Sequence, residues 1–272
     1  MPENASRRFA KFGASIRDEV KDTTGRSLHE WVSLARQSPT DTVEARRAWL
    51  QEELALPEGI ASLVAVNSLR NWGDEVEHFA ARGEQGLHYG DQWGDIELQP
   101  ELAEVRRRYV DPYVSDDAVC VEIGSGGGRW TVPLLVARRV YCVEVSESMV
   151  GYLRRRFHDR PNVECVLTSG ADLPGVPSRS VDFIFSYGTF LHFEPDLLAG
   201  YVASMAEVAR PGAVAVLQIS DTAKPEALRR RPTFTQNSPG QMASLLEPHG
   251  GRLTAIDRDT LEDSTIIVAR FG

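Results

Sequence analysis

The sequence predicts a doubly wound α/β fold: a seven-stranded, Rossmann-like sheet that ends in an antiparallel hairpin, behind an N-terminal helical appendage. Three observations predict it. From Val119 onward, short β-branched runs alternate with longer helix-like stretches, the pattern of a parallel sheet covered by helices on both faces. A glycine cluster follows the first of those runs. The last two apolar runs, 252–257 and 264–271, are separated by about six residues. That is too short for a parallel crossover, so they should pair antiparallel.

Strands are expected at 119–123, 139–145, 162–167, 181–186 and 212–219, mostly apolar as strands buried on both faces should be. Helices are expected at 129–138, 147–158, 196–209 and 238–249. Ligands of such folds lie beyond the carboxyl ends of the strands. Before residue 115 the pattern is helical but broken by turn residues, with Trp49, Leu50, Leu54 and Leu56, then Ile60, Leu63, Val64 and Val66. The domains are read as 1–84, a helical cap or dimerisation region, and 85–272, the α/β domain. The stretch Lys224–Gly240, with Arg229, Arg230 and Arg231, reads either as an insertion after the fifth strand near the mouth of the site or as a plain solvated loop.

The composition is globular: 272 residues, 42% hydrophobic and 25% charged, enough to bury a core. A net charge of −9 repels phosphate backbones, which argues against nucleic acid and anionic membranes as partners. No apolar run approaches the ~18 residues of a membrane span. The N-terminus lacks the order of a secretory signal, so a cytoplasmic location is expected. The three cysteines, Cys120, Cys142 and Cys165, lie among apolar residues without metal-ligand spacing and read as reduced core residues.

The strongest chemical signal is Val119-Cys120-Val121-Glu122-Ile123-Gly124-Ser125-Gly126-Gly127-Gly128-Arg129-Trp130-Thr131. A strand running into glycines allows a tight turn and lets a ligand approach the backbone. A dinucleotide fingerprint would need glycine at position 129, where Arg129 stands, so a nicotinamide-dependent oxidoreductase is disfavoured. The spacing is G-x-G-x-G, with Glu122 two residues ahead and Glu144 ending the second strand, where a carboxylate can accept ribose hydroxyls.

These residues resemble the first motif and second-strand acid of class I S-adenosylmethionine-dependent methyltransferases, and the C-terminal pair is similar to that family's final hairpin. The similarity spans roughly residues 85–272. It implies S-adenosylmethionine as cofactor and S-adenosylhomocysteine as product. It also implies that Gly124, Ser125, Gly126 and Gly128 lie against the cofactor, Glu122 orients its amino group and Glu144 binds its ribose. Val145, Ser146 and Met149 match the residues flanking the adenine. Gly170, Ala171, Asp172 and Leu173 resemble the segment that reads the adenine edge, although Asp172 stands closer to Leu-Pro than the family's acid does, which moves the contact toward Gly170 or Ala171. Ser186 and Tyr187 open the stretch after the fourth strand that borders methyl group and acceptor in similar enzymes.

In that stretch His192 is the candidate general base, because imidazole titrates near neutrality. The cluster Gly86–Asp95, with His88, Tyr89 and Trp93, reads as a loop and a candidate lid over the ligands. Asp91, Asp95, Asp111 and Glu194 do not have a spacing that demands a metal, and none is expected. The N-terminal stretch Thr24-Gly25-Arg26-Ser27-Leu28-His29-Glu30-Trp31 resembles a small helical family of unknown function, marked by T-G-x-S-x-x-x-W, and brings no activity. The function expected is methylation of a small molecule at oxygen, on a sugar or natural product, with a homodimer allowed by the N-terminal region. The alternative is a non-catalytic binding module of the same fold.

Overall fold

The computed structural model describes residues 20, 23–26, 28–40, 42–69, 88–91, 94–168, 171–193, 195–225, 227, 234–235 and 237–272. The chain divides into two compact units, Met1–Trp72 and Gly73–Gly272. Among the described residues, no helix is long and apolar enough to cross a membrane.

The first unit holds helices α1 (Leu28–Ala35), α2 (Val43–Glu52) and α3 (Glu58–Leu69) around Trp31, Leu50, Leu56, Ile60 and Val64. Its T-G-x-S-x-x-x-W motif is a structural lock. The Trp31 indole N–H donates to the Thr24 hydroxyl at 2.7 Å, and the Arg26 guanidinium lies 5.3 Å from the Trp31 ring. Thr42 caps α2 by accepting the Ala45 N–H, and buried Arg46 donates to Thr40 and to the Ser68 hydroxyl. All these contacts hold helices together.

The second unit is built on strands β1 (Val119–Ile123), β2 (Arg139–Glu144), β3 (Val163–Leu167), β4 (Val181–Ser186), β5 (Ala209–Ile219), β6 (Gly251–Asp257) and β7 (Thr265–Phe271). They form one sheet in the order β3-β2-β1-β4-β5-β7-β6. The first five strands are parallel, and β7 runs antiparallel to both β5 and β6. The expected antiparallel pairing is therefore present. The final strand also slots between β5 and β6, which the local spacing did not reveal.

Alternation places Val119, Val121 and Ile123 in one core and Cys120 in the other. Helices α7 (Pro195–Val208) and α8 (Pro239–Leu246) cover the first face through Leu198, Val202, Met205, Met242 and Leu246. Helices α4 (Pro100–Tyr109), α5 (Thr131–Leu134) and α6 (Glu147–Arg156) cover the second through Leu102, Val105, Leu134 and Leu153.

Several boundaries shift by a few residues from the sequence expectation, and two of the shifts have a visible cause. The helix expected at 129–138 is a single turn, because Asn162 Nδ2 donates to the Leu135 and Ala137 carbonyls at 3.0 and 2.8 Å and turns the chain toward β2. Strand β5 begins at Ala209 rather than 212, and a bulge between the pairings of Val181 and Phe183 absorbs the extra residues. Cys120 and Cys142 are buried and Cys165 is half-buried, all as free thiols.

Candidate active site

The chain turns sharply beyond β1. Gly124 and Ser125 N–H groups both donate to the Val143 carbonyl, at 2.8 and 3.3 Å, and Gly128 N–H donates to the Ser125 carbonyl at 2.8 Å. Gly124 has φ +76°, and a Cβ there would fall 2.0 Å from the Thr189 hydroxyl, so this crossing of the loops after β1 and β4 admits only glycine. Gly128 serves packing instead: its missing side chain is replaced by the Phe157 ring.

Two carboxylates converge under this loop. Glu122, 3% exposed, accepts from the Thr131 hydroxyl at 2.5 Å. Burial pushes its pKa up to about 8. Glu144, 7% exposed, accepts N–H bonds from Gly126 at 3.0 Å, Val145 at 2.7 Å and Ser146 at 3.3 Å. Burial raises its pKa and those three donors oppose the rise. The Ser125 hydroxyl donates to the Glu122 carbonyl at 3.2 Å.

Val145 follows Glu144 with half its surface exposed, although it is apolar. Ser146 caps α6 by accepting the Met149 N–H at 3.4 Å, and Met149 is buried against Tyr89 and Tyr152. Beyond β3, the Thr168 hydroxyl donates to the Asp172 carboxylate at 2.5 Å, and the Ser204 hydroxyl donates to the Ala171 carbonyl at 2.9 Å. Leu173 points into the main core, and Gly170 lies outside the described residues.

Beyond β4, Ser186 is fully buried and donates to the Ile123 carbonyl at 2.8 Å. Tyr187 is half-buried with its ring 4.9 Å from that of Trp130. Gly188 N–H donates to Gln218 Oε1 at 2.7 Å, and Gln218 is held in turn by Ser264. His192 ends a short 3₁₀ turn, Phe190–His192, at the exposed rim, with its ring edge-on to Phe234 at 5.5 Å. Part of the expected insertion is wired to this turn. Thr235 N–H donates to the Leu191 carbonyl at 2.9 Å, and buried Asn237 donates to Phe190, Phe193 and Thr235. Arg229, Arg230 and Arg231 lie outside the described residues.

The segment from His88 lies against the glycine loop. A Cβ on Gly126 would meet the Tyr89 ring at 3.7 Å, and one on Gly127 would meet the Tyr89 carbonyl at 2.1 Å. His88 N–H donates to Asp91 at 2.6 Å, and the His88 ring is hydrogen-bonded to the Tyr152 hydroxyl. Burial, then the Arg156 charge, lowers the His88 pKa. Trp93 and Glu194 lie outside the described residues. Asp95 accepts the Glu97 and Leu98 N–H groups, and Asp111 pairs with Arg106 at 3.2 Å. Among the described residues, no three His, Cys, Asp or Glu side chains gather as metal ligands do.

Several residues of this region were not singled out from the sequence. Thr131 and Gln218 hold the two loops in place, and Arg156 donates to the Gly127 carbonyl. Arg129 registered only as the glycine missing from a dinucleotide fingerprint. Its side chain donates to the Gly94 carbonyl at 2.9 Å.

The site fits an adenosyl cofactor in its own chemistry. Glu144 has roughly four lone-pair sites and three backbone donors, which leaves acceptor capacity for a ribose hydroxyl. Val145 offers an apolar face beside it, and Glu122 offers a buried carboxylate for an ammonium.

Comparison with known proteins agrees. Residues 120–212 match the family model of a methyltransferase domain, and residues 13–68 match a domain of unknown function. No curated protein matches the chain. Among solved structures, the CcbJ methyltransferase of Streptomyces caelestis is 17% identical, with 74% of this chain and 98% of that one covered and a TM-score of 0.55. Magnesium protoporphyrin IX methyltransferase of Synechocystis PCC 6803, solved with bound S-adenosylhomocysteine, is 16% identical over 73% of this chain and 95% of that one, with a TM-score of 0.54. A SAM-dependent methyltransferase from Aquifex aeolicus is 18% identical over 71% and 98%, with a TM-score of 0.51. At these identities the solved structures speak for the fold, and the family model and the motif speak for the class. By its G-x-G-x-G loop between two strand-end acids, its sheet order and its matched domain, residues 120–212 carry a methyltransferase domain, set in the fold shared by S-adenosylmethionine-dependent methyltransferases.

Proposed function

We propose that the protein methylates a small molecule at an oxygen nucleophile, with a sugar or natural-product hydroxyl as the acceptor class. One observation carries this reading: Glu122 and Glu144 converge under a glycine loop that Tyr89 covers, beside a rim that presents His192. A net charge of −9 further supports a small acceptor over nucleic acid. In this reading the protein is cytoplasmic, and residues 1–84 act as a cap or dimerisation element.

The bound cofactor supplies an electrophilic methyl group on a sulfonium. Glu144 orients the ribose, ionised Glu122 holds the ammonium, and the covering segment keeps water from the sulfonium. Bound S-adenosylmethionine would give its methyl group to the acceptor oxygen, the sulfur keeping the electron pair of the bond that breaks. The hydroxyl proton passes to His192.

The test is incubation of the protein with methyl-labelled S-adenosylmethionine and a size-fractionated host extract. Label in the small-molecule fraction is expected, whereas label in protein or nucleic acid overturns the acceptor class. Cofactor binding without any transfer would favour the binding module. His192→Ala should lower turnover by about 10²- to 10⁴-fold with cofactor affinity unchanged. Full turnover in that variant removes the base assignment.

A further inference from the structure

Arg129 is a half-buried cation with no carboxylate within ion-pairing distance among the described residues. Its stem packs against Gly90, with its Cβ 3.4 Å from where a Gly90 Cβ would stand, and its Nη1 donates to the Gly94 carbonyl. The guanidinium carbon lies 5.9 Å from the ring centroids of both Trp130 and Tyr187. By contrast, Arg106, Arg108 and Arg258 of this unit each meet a carboxylate. Asp91, on the covering segment, accepts the His88 N–H and acts on Arg129 through space without forming an ion pair with it. The same wall carries a second unmatched donor, since the Trp130 indole N–H is buried without an acceptor. Desolvating a guanidinium is costly unless an anion meets it.

Topology says which anion. The sheet order β2-β1-β4 puts Glu144, Glu122 and Tyr187 on three neighbouring strand ends in that order, with Glu122, level with Cys142 and Phe185, two residues deeper. A ligand with its ribose at Glu144 and its ammonium at Glu122 therefore extends its remaining end toward Tyr187, where Arg129 stands. Arg156, the other half-buried arginine near the loop, lies on α6 over Phe157, donates to the Gly127 carbonyl and acts on Glu122 through its charge.

We infer that Arg129 binds the amino-acid carboxylate of the cofactor, pairing with it as a fork and so fixing the methionine end beside the loop after β4. The inference rests on the reading of the glycine loop as the cofactor site, and its test separates the two. The measurement is calorimetric binding of S-adenosylhomocysteine and of S-adenosyl-3-thiopropylamine, which keeps the ammonium and lacks the carboxylate. The wild type should prefer S-adenosylhomocysteine by roughly 10- to 100-fold, the usual range for a hydrogen-bonded charge pair.

Arg129→Met should erase that preference and leave affinity for the amine within about twofold. Arg129→Lys, which keeps the charge and loses the fork, should retain part of the preference, and it carries the test if a thermal melt shows Arg129→Met unfolded. Equal binding of both ligands by the wild type, a preference that survives in both variants, or an equal loss for both ligands overturns the inference. Failure of the wild type to bind either ligand overturns the glycine-loop reading beneath it.

Discussion

Glu122 shows what a single burial does to chemistry. Its carboxyl titrates at about 8 because it lies inside the sheet edge with a hydroxyl for its main partner. The ordinary carboxyl value in an unfolded chain is about 4.3. Between those two values the folded, cofactor-free protein holds a proton that the unfolded chain has released. Stability therefore falls as pH rises through that window and levels off above it. Glu144 contributes in the same direction. Urea titrations from pH 5 to 8 should show this decline, and Glu122→Gln should flatten part of it. Cofactor binding has the opposite dependence. An ammonium beside Glu122 favours its ionised form, so binding releases a proton and affinity for S-adenosylhomocysteine should increase from pH 6 to 8 in the wild type and stay level in Glu122→Gln. A pH-independent wild-type affinity would rule out direct pairing. Both acids were legible in the sequence, because a carboxylate within or ending an apolar strand has no packing reason to be there. Arg129 was not, since an arginine opening a helix looks like any surface residue until its missing partner is visible.

The glycine loop and the turn after β4 hold each other. Gly124 leaves room only for Thr189, and its positive φ penalises any side chain by about 1 kcal/mol or more before the clash is counted. Gly124→Ala should therefore abolish S-adenosylhomocysteine binding while circular dichroism still reports a folded protein. The other side of that turn depends on Asn237, which is fully buried and donates to three oxygens of Phe190, Phe193 and Thr235. Asn237→Ala should lower unfolding stability by about 1–3 kcal/mol, because those acceptors lose a donor in a dry setting. It should also reduce turnover more than cofactor affinity, since the turn carries His192. At this scale the strands were readable almost to the residue, because buried parallel strands leave continuous apolar runs. The short α5 was not: its end is set by Asn162, which reaches back from before β3. The place of β7 was hidden for the same reason, since nothing in a seven-residue strand states which neighbour it takes.

In the proposed reading, the second of the two units is the part that answers to the cofactor. Every described residue assigned here to cofactor or acceptor belongs to Gly73–Gly272, and the lock of Thr24, Trp31 and Arg26 belongs to Met1–Trp72. The helical first unit was legible as helical. The described hydrogen bonds of its motif serve its own fold. A ligand stabilises only the unit that binds it, by an amount set by its concentration over Kd, about 2.7 kcal/mol at a hundredfold excess. For a domain near 200 residues this should raise the midpoint by roughly 5–10 °C. Calorimetric scans with and without S-adenosylhomocysteine should therefore move the transition of the second unit and leave that of the first in place. A fragment beginning at Gly73 should retain the wild-type affinity. If both transitions move together, or the fragment loses binding, the N-terminal unit contributes to the cofactor site, and its role as a cap becomes part of catalysis instead of an appendage to it.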